Sequence, residues 1–375
     1  MSQQLLQYGS QLNPQEIGRT LDRIFQRNLE IGRSGRPTPV CIWGTHGLGK
    51  TQLVESYAKS RDWKFAYCAP AQFEEMGDLH GMPTVIDPDK DVTGDEYTVY
   101  APPDWVPTQE GPGILLLDDV NRADDRILRG IMQLLQNFEM FSWQLPAQWQ
   151  IVATANPEGG DYSVTPMDDA MLTRMLHLTM IFDAKAWAYW ATRAKVDPRG
   201  IAFVLNYPET VTGQRTTPRT LTQFFGQTAG IADLQADAEH VAILAKSSLD
   251  DTTVGAFLSF VSDELTELVN PEEILEAKTF TPVKKRLKQQ AKTKQGASRV
   301  DRLAAICTRL FLHLTKEDYK PSKNHKDNLV SFLTEDIIPN DLRMAMVMDI
   351  QKYGAEKTVE MLRDKRLAFL LIDSI

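Results

Sequence analysis

GTHGLGKT, residues 44–51, fills every fixed position of the pattern GxxxxGK[ST]. Each fixed position has a physical task. Gly44, Gly47 and Gly49 let the backbone turn sharply and aim its N–H groups at a bound triphosphate. Lys50 is spaced to reach the β- and γ-phosphates, and Thr51 offers a hydroxyl to Mg²⁺ at the start of a helix whose dipole favours an anion. The flanks agree. PTPVCIW before the loop is a β-prone apolar run, and TQLVESYAKS after it sets Leu53, Val54, Tyr57 and Ala58 on one helical face. Residues 44–52, including Thr45, His46, Leu48 and Gln52, are therefore the expected nucleotide-binding segment.

Working outward, GPGILLLDDVNRAD (111–124) is a short buried-strand run ending in two carboxylates, Asp118 and Asp119. WQIVATANP (149–157) is a second apolar strand ending in the amide of Asn156. Asp118, at its strand tip, is expected to hold Mg²⁺ through water.

This order of glycine loop, acidic pair and amide resembles the AAA+ ATPases. GLGKT, DLHG (78–81), LLLDDVNRA, ATANP, LTRM (172–175) and TPRTL (217–221) look like the MoxR-type and dynein-related branch, over about residues 20–235. The resemblance implies a ring, a hexamer, with ATP bound between subunits. It implies that Asp119 and Asn156 orient the attacking water, that Arg174 reaches a neighbour's γ-phosphate, and that Arg219 reports nucleotide state to a lid. It also implies a remodelled partner, in this branch a protein with a von Willebrand factor A domain. Thr45-His46 stand where two prolines are common. Asp119 stands where a glutamate is usual, one methylene shorter, so slow hydrolysis is expected. Rival readings are a nucleic-acid motor or restriction-system ATPase, and a nucleotide switch that barely turns over. For Arg174 an ion pair with Asp168 or Asp169 is the structural alternative. Arg122, Arg126 and Arg129, at helical spacing, read either as an interface stripe or as a solvated one.

The fold class that follows is α/β: a phosphate-loop parallel sheet between helices, then a helical lid and a further helical region. All seven tryptophans and most glycines lie at or before Gly200, which marks the shift. Strands are predicted at 38–43, 63–68, 113–118, 149–154 and 176–181, with helical patterns between them. The predicted boundaries are 1–182 for the α/β domain, 183–250 for the lid and 251–375 for the last region. Residues 69–112 are too long for a plain connection; they read as a pore- or partner-facing insertion or as surface elaboration. Residues 278–302 carry nine Lys/Arg against one Asp, a basic face or a solvated helix.

Composition narrows the rest. A net charge of −9 argues against a general nucleic-acid coat. Cys41, Cys68 and Cys307 are far apart and lack metal-ligand spacing, so reduced core thiols are expected. The N-terminal residues lack a signal-peptide pattern, and no apolar run approaches the ~20 residues of a membrane span. These features fit a cytoplasmic protein with no membrane contact; a prokaryotic or phage origin is what the resemblance implies.

Overall fold

The computed structural model describes residues 8–32, 35, 37–87, 96–159, 163–212, 215–263, 268–292, 299–316 and 319–367. Parts of the insertion, of the basic segment and of the C-terminal helical prediction thus lie outside the described residues. The chain divides into two compact units, Met1–Asp183 and Ala184–Ile375.

The first unit is built on a six-stranded, all-parallel sheet in the order β1 (Ser10–Leu12), β10 (Leu176–Met180), β2 (Val40–Trp43), β9 (Trp149–Ala155), β6 (Gly113–Leu117) and β3 (Lys64–Cys68). Two-residue alternation explains why both faces are apolar. Val40, Ile42, Ile114, Leu116 and Val152 pack on one side against α1 (Pro14–Ile31) and α2 (Lys50–Ser60). Cys41, Trp43, Leu115, Leu117 and Ile151 pack on the other against α4 (Asp125–Asn137). The helix α1 begins in a capping box: Asn13 Oδ1 accepts from Glu16 N at 3.0 Å, and Glu16 accepts from Asn13 N at 2.9 Å. Asn28, buried near its end, donates to Gln150 Oε1 at 2.8 Å and so ties the helix to β9.

Two small antiparallel hairpins ride on this unit. The strand β4 (Met82–Ile86) pairs with β5 (Tyr97–Ala101), and β7 (Glu139–Met140) with β8 (Trp143–Gln144). The insertion at 69–112 thus contains an antiparallel strand pair. Between it and β7–β8 stands His80, at the end of the short α3 (Met76–His80). Its ring lies 4.3 Å from that of Phe141 and edge-on to Tyr100. A final short helix, α5 (Asp169–Leu172), precedes β10.

The second unit is helical among its described residues. Its helices are α6 (Ala184–Arg193), α7 (Pro198–Asn206), α8 (Pro218–Thr228), α9 (Ala238–Ser248), α10 (Asp251–Asp263), α11 (Pro271–Leu275), α12 (Thr281–Gln290), α13 (Val300–Leu314), α14 (Lys323–Leu333), α15 (Asn340–Tyr353) and α16 (Glu356–Met361). Phe203, Phe224, Phe225, Phe257 and Phe260 interlock edge-to-face or tilted at its centre, each no more than 1% exposed. The three cysteines are buried and unpaired; burial pushes the thiols of Cys68 and Cys307 up to about 12 and that of Cys41 upward too. Thiolate chemistry is thereby suppressed at neutral pH. No helix among the described residues is long and apolar enough to cross a membrane.

Burial lowers the pKa of His80 from its ordinary 6.5. A depressed folded value means that its contribution to stability is present above the unfolded pKa and is lost as pH falls through the folded one. The melting temperature should therefore fall more steeply on acidification from about pH 7.5 to about pH 5 in the parent chain than in a His80→Gln variant. Parallel slopes in differential scanning fluorimetry would contradict this.

Candidate nucleotide site

The glycine loop follows β2 directly. Gly47 and Gly49 have φ of 72° and 94°, left-handed values that glycine adopts at little cost. Gly44 N donates to Ala155 O at 3.2 Å, stitching the loop to the end of β9. Thr45, His46 and Leu48 are half-buried within the loop, and Leu48 leans on the core. Gln52 is exposed on the first turn of α2.

Lys50 opens α2 and turns its side chain back into the loop. Only 6% exposed, its ammonium donates to Gly44 O at 2.7 Å, Thr45 O at 3.2 Å and Asn156 Oδ1 at 3.2 Å. A buried ammonium needs such partners. Asn156 is itself fully buried. Its backbone and that of the strand end are clasped by Asn121, which donates Nδ2 to Asn156 O at 2.8 Å and accepts from Asn156 N at 3.0 Å.

The parallel register brings the acids alongside. Leu117 pairs with Ala153, so one residue further Asp118 meets Thr154. Thr154 Oγ1 donates to Asp118 Oδ1 at 2.7 Å, and Thr51 Oγ1 donates to the same oxygen at 2.9 Å. Tyr67, from β3, donates its hydroxyl to Asp118 Oδ2 at 3.2 Å. Burial first, then the Asp118 charge, holds the Tyr67 phenol above its ordinary pKa and keeps it a donor.

Asp119 leaves the strand in a left-handed turn, φ 50° and ψ 44°, which aspartate tolerates better than most residues. Its N–H donates to Thr154 Oγ1 at 2.8 Å, its Oδ1 accepts from Asn156 Nδ2 at 3.0 Å, and its Oδ2 lies 3.3 Å from Arg122 Nε. Arg122 sits in the single turn Val120–Arg122, ahead of α4, so it shares no helical face with Arg126 and Arg129. Those two pair with Asp124 and Asp125. The common stripe read from spacing is absent because Ala123 is extended and Asp124 starts a new helix.

Arg174 follows α5 and donates to Gln136 Oε1 at 3.2 Å and to the carbonyl of Ala170. Asp168 instead caps α5, accepting from Met171 N at 2.8 Å. Arg219 is exposed in the first turn of α8, in the second unit, which Thr217 caps. Lys50, Thr51, Asp118, Asp119 and Asn156 thus converge at the carboxyl edge of the sheet, where α/β folds bind ligands. Sequence reasoning missed Thr154, Asn121, Tyr67 and Arg122. Thr154 was legible in principle, since a hydroxyl in a fully buried strand beside an acidic pair needs a polar partner.

Thr51 and Asp118 present hard oxygens within hydrogen-bond distance of one another, a pair suited to Mg²⁺ that is otherwise held by phosphates and water. No cluster of three metal-ligating side chains occurs among the described residues. These parts define a phosphate-loop α/β nucleotide-binding unit.

Residues 39–175 match the model of the AAA domain, dynein-related subfamily. The segment is thus an AAA+ domain of the dynein-related type, a family of ATPases. No curated protein matches the chain. Among solved structures, the Thermotoga maritima RuvB Holliday junction branch migration motor is 13% identical, covering 75% of this chain and 90% of that one, with a TM-score of 0.40. A single-site variant of it gives 12% and 0.41. A Cytophaga hutchinsonii protein with a provisional ATPase assignment is 14% identical, over 83% of this chain and 78% of its own, at 0.31. Scores of this size say nothing of what the present chain acts on.

Replacing Thr154 with valine should cost roughly 1–3 kcal/mol of stability, because the Asp119 N–H loses its acceptor and Asp118 a donor. Chemical denaturation of the variant checks this. An unchanged midpoint would mean that water replaces the hydroxyl without loss.

Proposed function

We propose that this chain binds and hydrolyses ATP in a ring, a hexamer of MoxR-like character, and uses the cycle to remodel a partner protein, one with a von Willebrand factor A domain. The observation that supports the nucleotide part of this reading is the unbroken chain of contacts Lys50–Asn156–Asp119–Arg122 beside the Thr51–Asp118 pair; the ring and the partner follow from the resemblance of the motifs to the MoxR-type branch. Lys50 neutralises phosphate charge, and the loop amides cradle it. Thr51 and Asp118 would hold Mg²⁺, which when bound would supply neutralisation of phosphate charge. Asp119 takes the proton from the attacking water, with Asn156 orienting both. Arg174 of a neighbouring subunit offsets developing charge, as an arginine finger does. Arg219 supports a lid role: a cation in the first turn of a helix opposes the helix dipole, a cost that a bound anion would remove.

Turnover is slow in this reading, for two reasons. Asp119 is one methylene short of the usual glutamate, and its carboxylate is engaged by Arg122 and Asn156. A phosphate that draws Lys50 away from Asn156 Oδ1 would free the amide to turn, and with it Asp119. Nucleotide occupancy and release of the acid are thereby coupled.

Lys50→Ala should abolish measurable ATP binding by isothermal titration calorimetry. Charge-assisted hydrogen bonds of about 1.5–3 kcal/mol each are lost together. Retained affinity would remove residues 44–51 from the phosphate-binding role.

Asp119→Asn should bind ATP normally and hydrolyse it about 10²-fold more slowly or worse, the usual worth of a positioned base. Arg174→Ala should look similar alone. Mixing the two variants should restore part of the turnover, since some interfaces then carry both intact groups. If mixed rings form and stay inactive at every ratio, Arg174 does not act across subunits.

A further inference from the structure

The helical unit holds a cavity of about 900 Å³ that the nucleotide chemistry does not use. Four cations line it: Arg193, Lys195, Arg309 and Lys316. The acid among its lining residues is Glu272, which lies 3.1 Å from His313 Nδ1. In a chain of net charge −9 this is a local reversal of sign. Glu273, whose charge also acts on Arg309, is paired with Arg286.

Arg309 is the centre of the site. It is half-buried on α13, and its guanidinium donates to Asn270 Oδ1 at 2.8 Å, a neutral partner. Burial lowers its pKa, with Glu272 and Glu273 opposing that shift. A partly desolvated guanidinium with a planar fork gains most from a carboxylate or phosphate. Lys195, Arg193 and Lys316 are exposed at the rim, where charges steer a ligand in more than they hold it. Val196, Ile201 and Leu312 supply an apolar wall.

We propose that this cavity docks a short acidic segment of a partner protein, one in which carboxylates alternate with apolar side chains. The mixed lining fits that chemistry better than a nucleic acid. Single strands need free aromatic faces for stacking and a track of phosphate contacts. Tyr189, the aromatic residue of the lining, is already engaged: the Arg193 guanidinium sits 4.3 Å from its ring centroid, and Tyr353 packs at 5.9 Å. The volume is that of a pocket for a few side chains, within the ordinary range of ligand sites. The inference does not rest on the ATPase reading, because it requires no nucleotide.

The test is fluorescence anisotropy on the full chain without ATP, using a labelled synthetic peptide that alternates glutamate and leucine. Its lysine–leucine counterpart and an oligothymidylate of similar length serve as comparisons. Saturable binding of the acidic peptide is expected, with none by the basic one. Arg309→Gln should weaken it by about ten-fold or more, the loss of at least one charge-assisted contact. Lys195→Glu combined with Lys316→Glu, both exposed, should weaken it as well and slow association. Equal binding of both peptides, unchanged affinity in both variants, or tighter Arg309-dependent binding of the oligothymidylate would each overturn the proposal. ATP turnover measured on the same variants keeps this outcome separate from that of the nucleotide site.

Discussion

The ammonium of Lys50 is the constraint around which the first unit is organised. A cation 6% exposed is tolerated only where oxygens surround it, and here they come from two places. The carbonyls of Gly44 and Thr45 belong to the loop that Lys50 itself closes, while Asn156 Oδ1 belongs to the end of β9. The loop can offer those carbonyls inward because Gly47 and Gly49 accept left-handed backbone. Asn156 can offer its oxygen because Asn121 satisfies its backbone N–H and C=O. The buried charge thus fixes the shape of the loop, the exit of β9 and the turn after β6 together.

What makes those three places neighbours is the register of the sheet. The strands β2, β9 and β6 run parallel and adjacent, so their carboxyl ends share an edge. Parallel strands require crossovers, and α2 and α4 supply the cover that lets every residue of β2, β6 and β9 be buried. Burial on both faces removes water from beside Thr154 and Asn156, while Asp119 stays partly exposed. Thr154 is fully buried and yet touches both acids. Its hydroxyl bridges the Asp118 carboxylate and the Asp119 N–H, and so limits how the two acids can turn relative to each other.

Much of this was legible in the chain. The glycine loop and the apolar runs ending in Asp118 and Asn156 are local patterns with local physical causes. The five predicted strands lie within two residues of β2, β3, β6, β9 and β10, whereas the edge strand β1 and the short β7 and β8 were not predicted. The misses have a different origin. Arg122 was assigned to a helical stripe because spacing alone cannot reveal the extended residue at Ala123 that interrupts the helix. The first strand of the insertion hairpin escaped notice because all five of its residues, from Met82 to Ile86, are exposed, so no burial alternation marks it. Tyr67, and which groups Thr154 partners, became visible only through strand adjacency, a long-range fact. The cavity around Arg309 draws on residues from Tyr189 to Lys316, and no sequence window spans them.

The turn at Asp119 carries a consequence for its choice of residue. Left-handed backbone is costly for most side chains and milder for aspartate, whose short carboxylate bonds locally. The Arg122 contact joins groups 44% and 38% exposed, and such a pair contributes little. The Asn156 contact is different, because its amide is fully buried and cannot trade Asp119 for water without loss. The two holds on the carboxylate are therefore unequal: the arginine is readily displaced, whereas the amide yields only if its own environment changes. Since the other end of that amide is Lys50, the position of the acid is tied to the most buried charge in the loop.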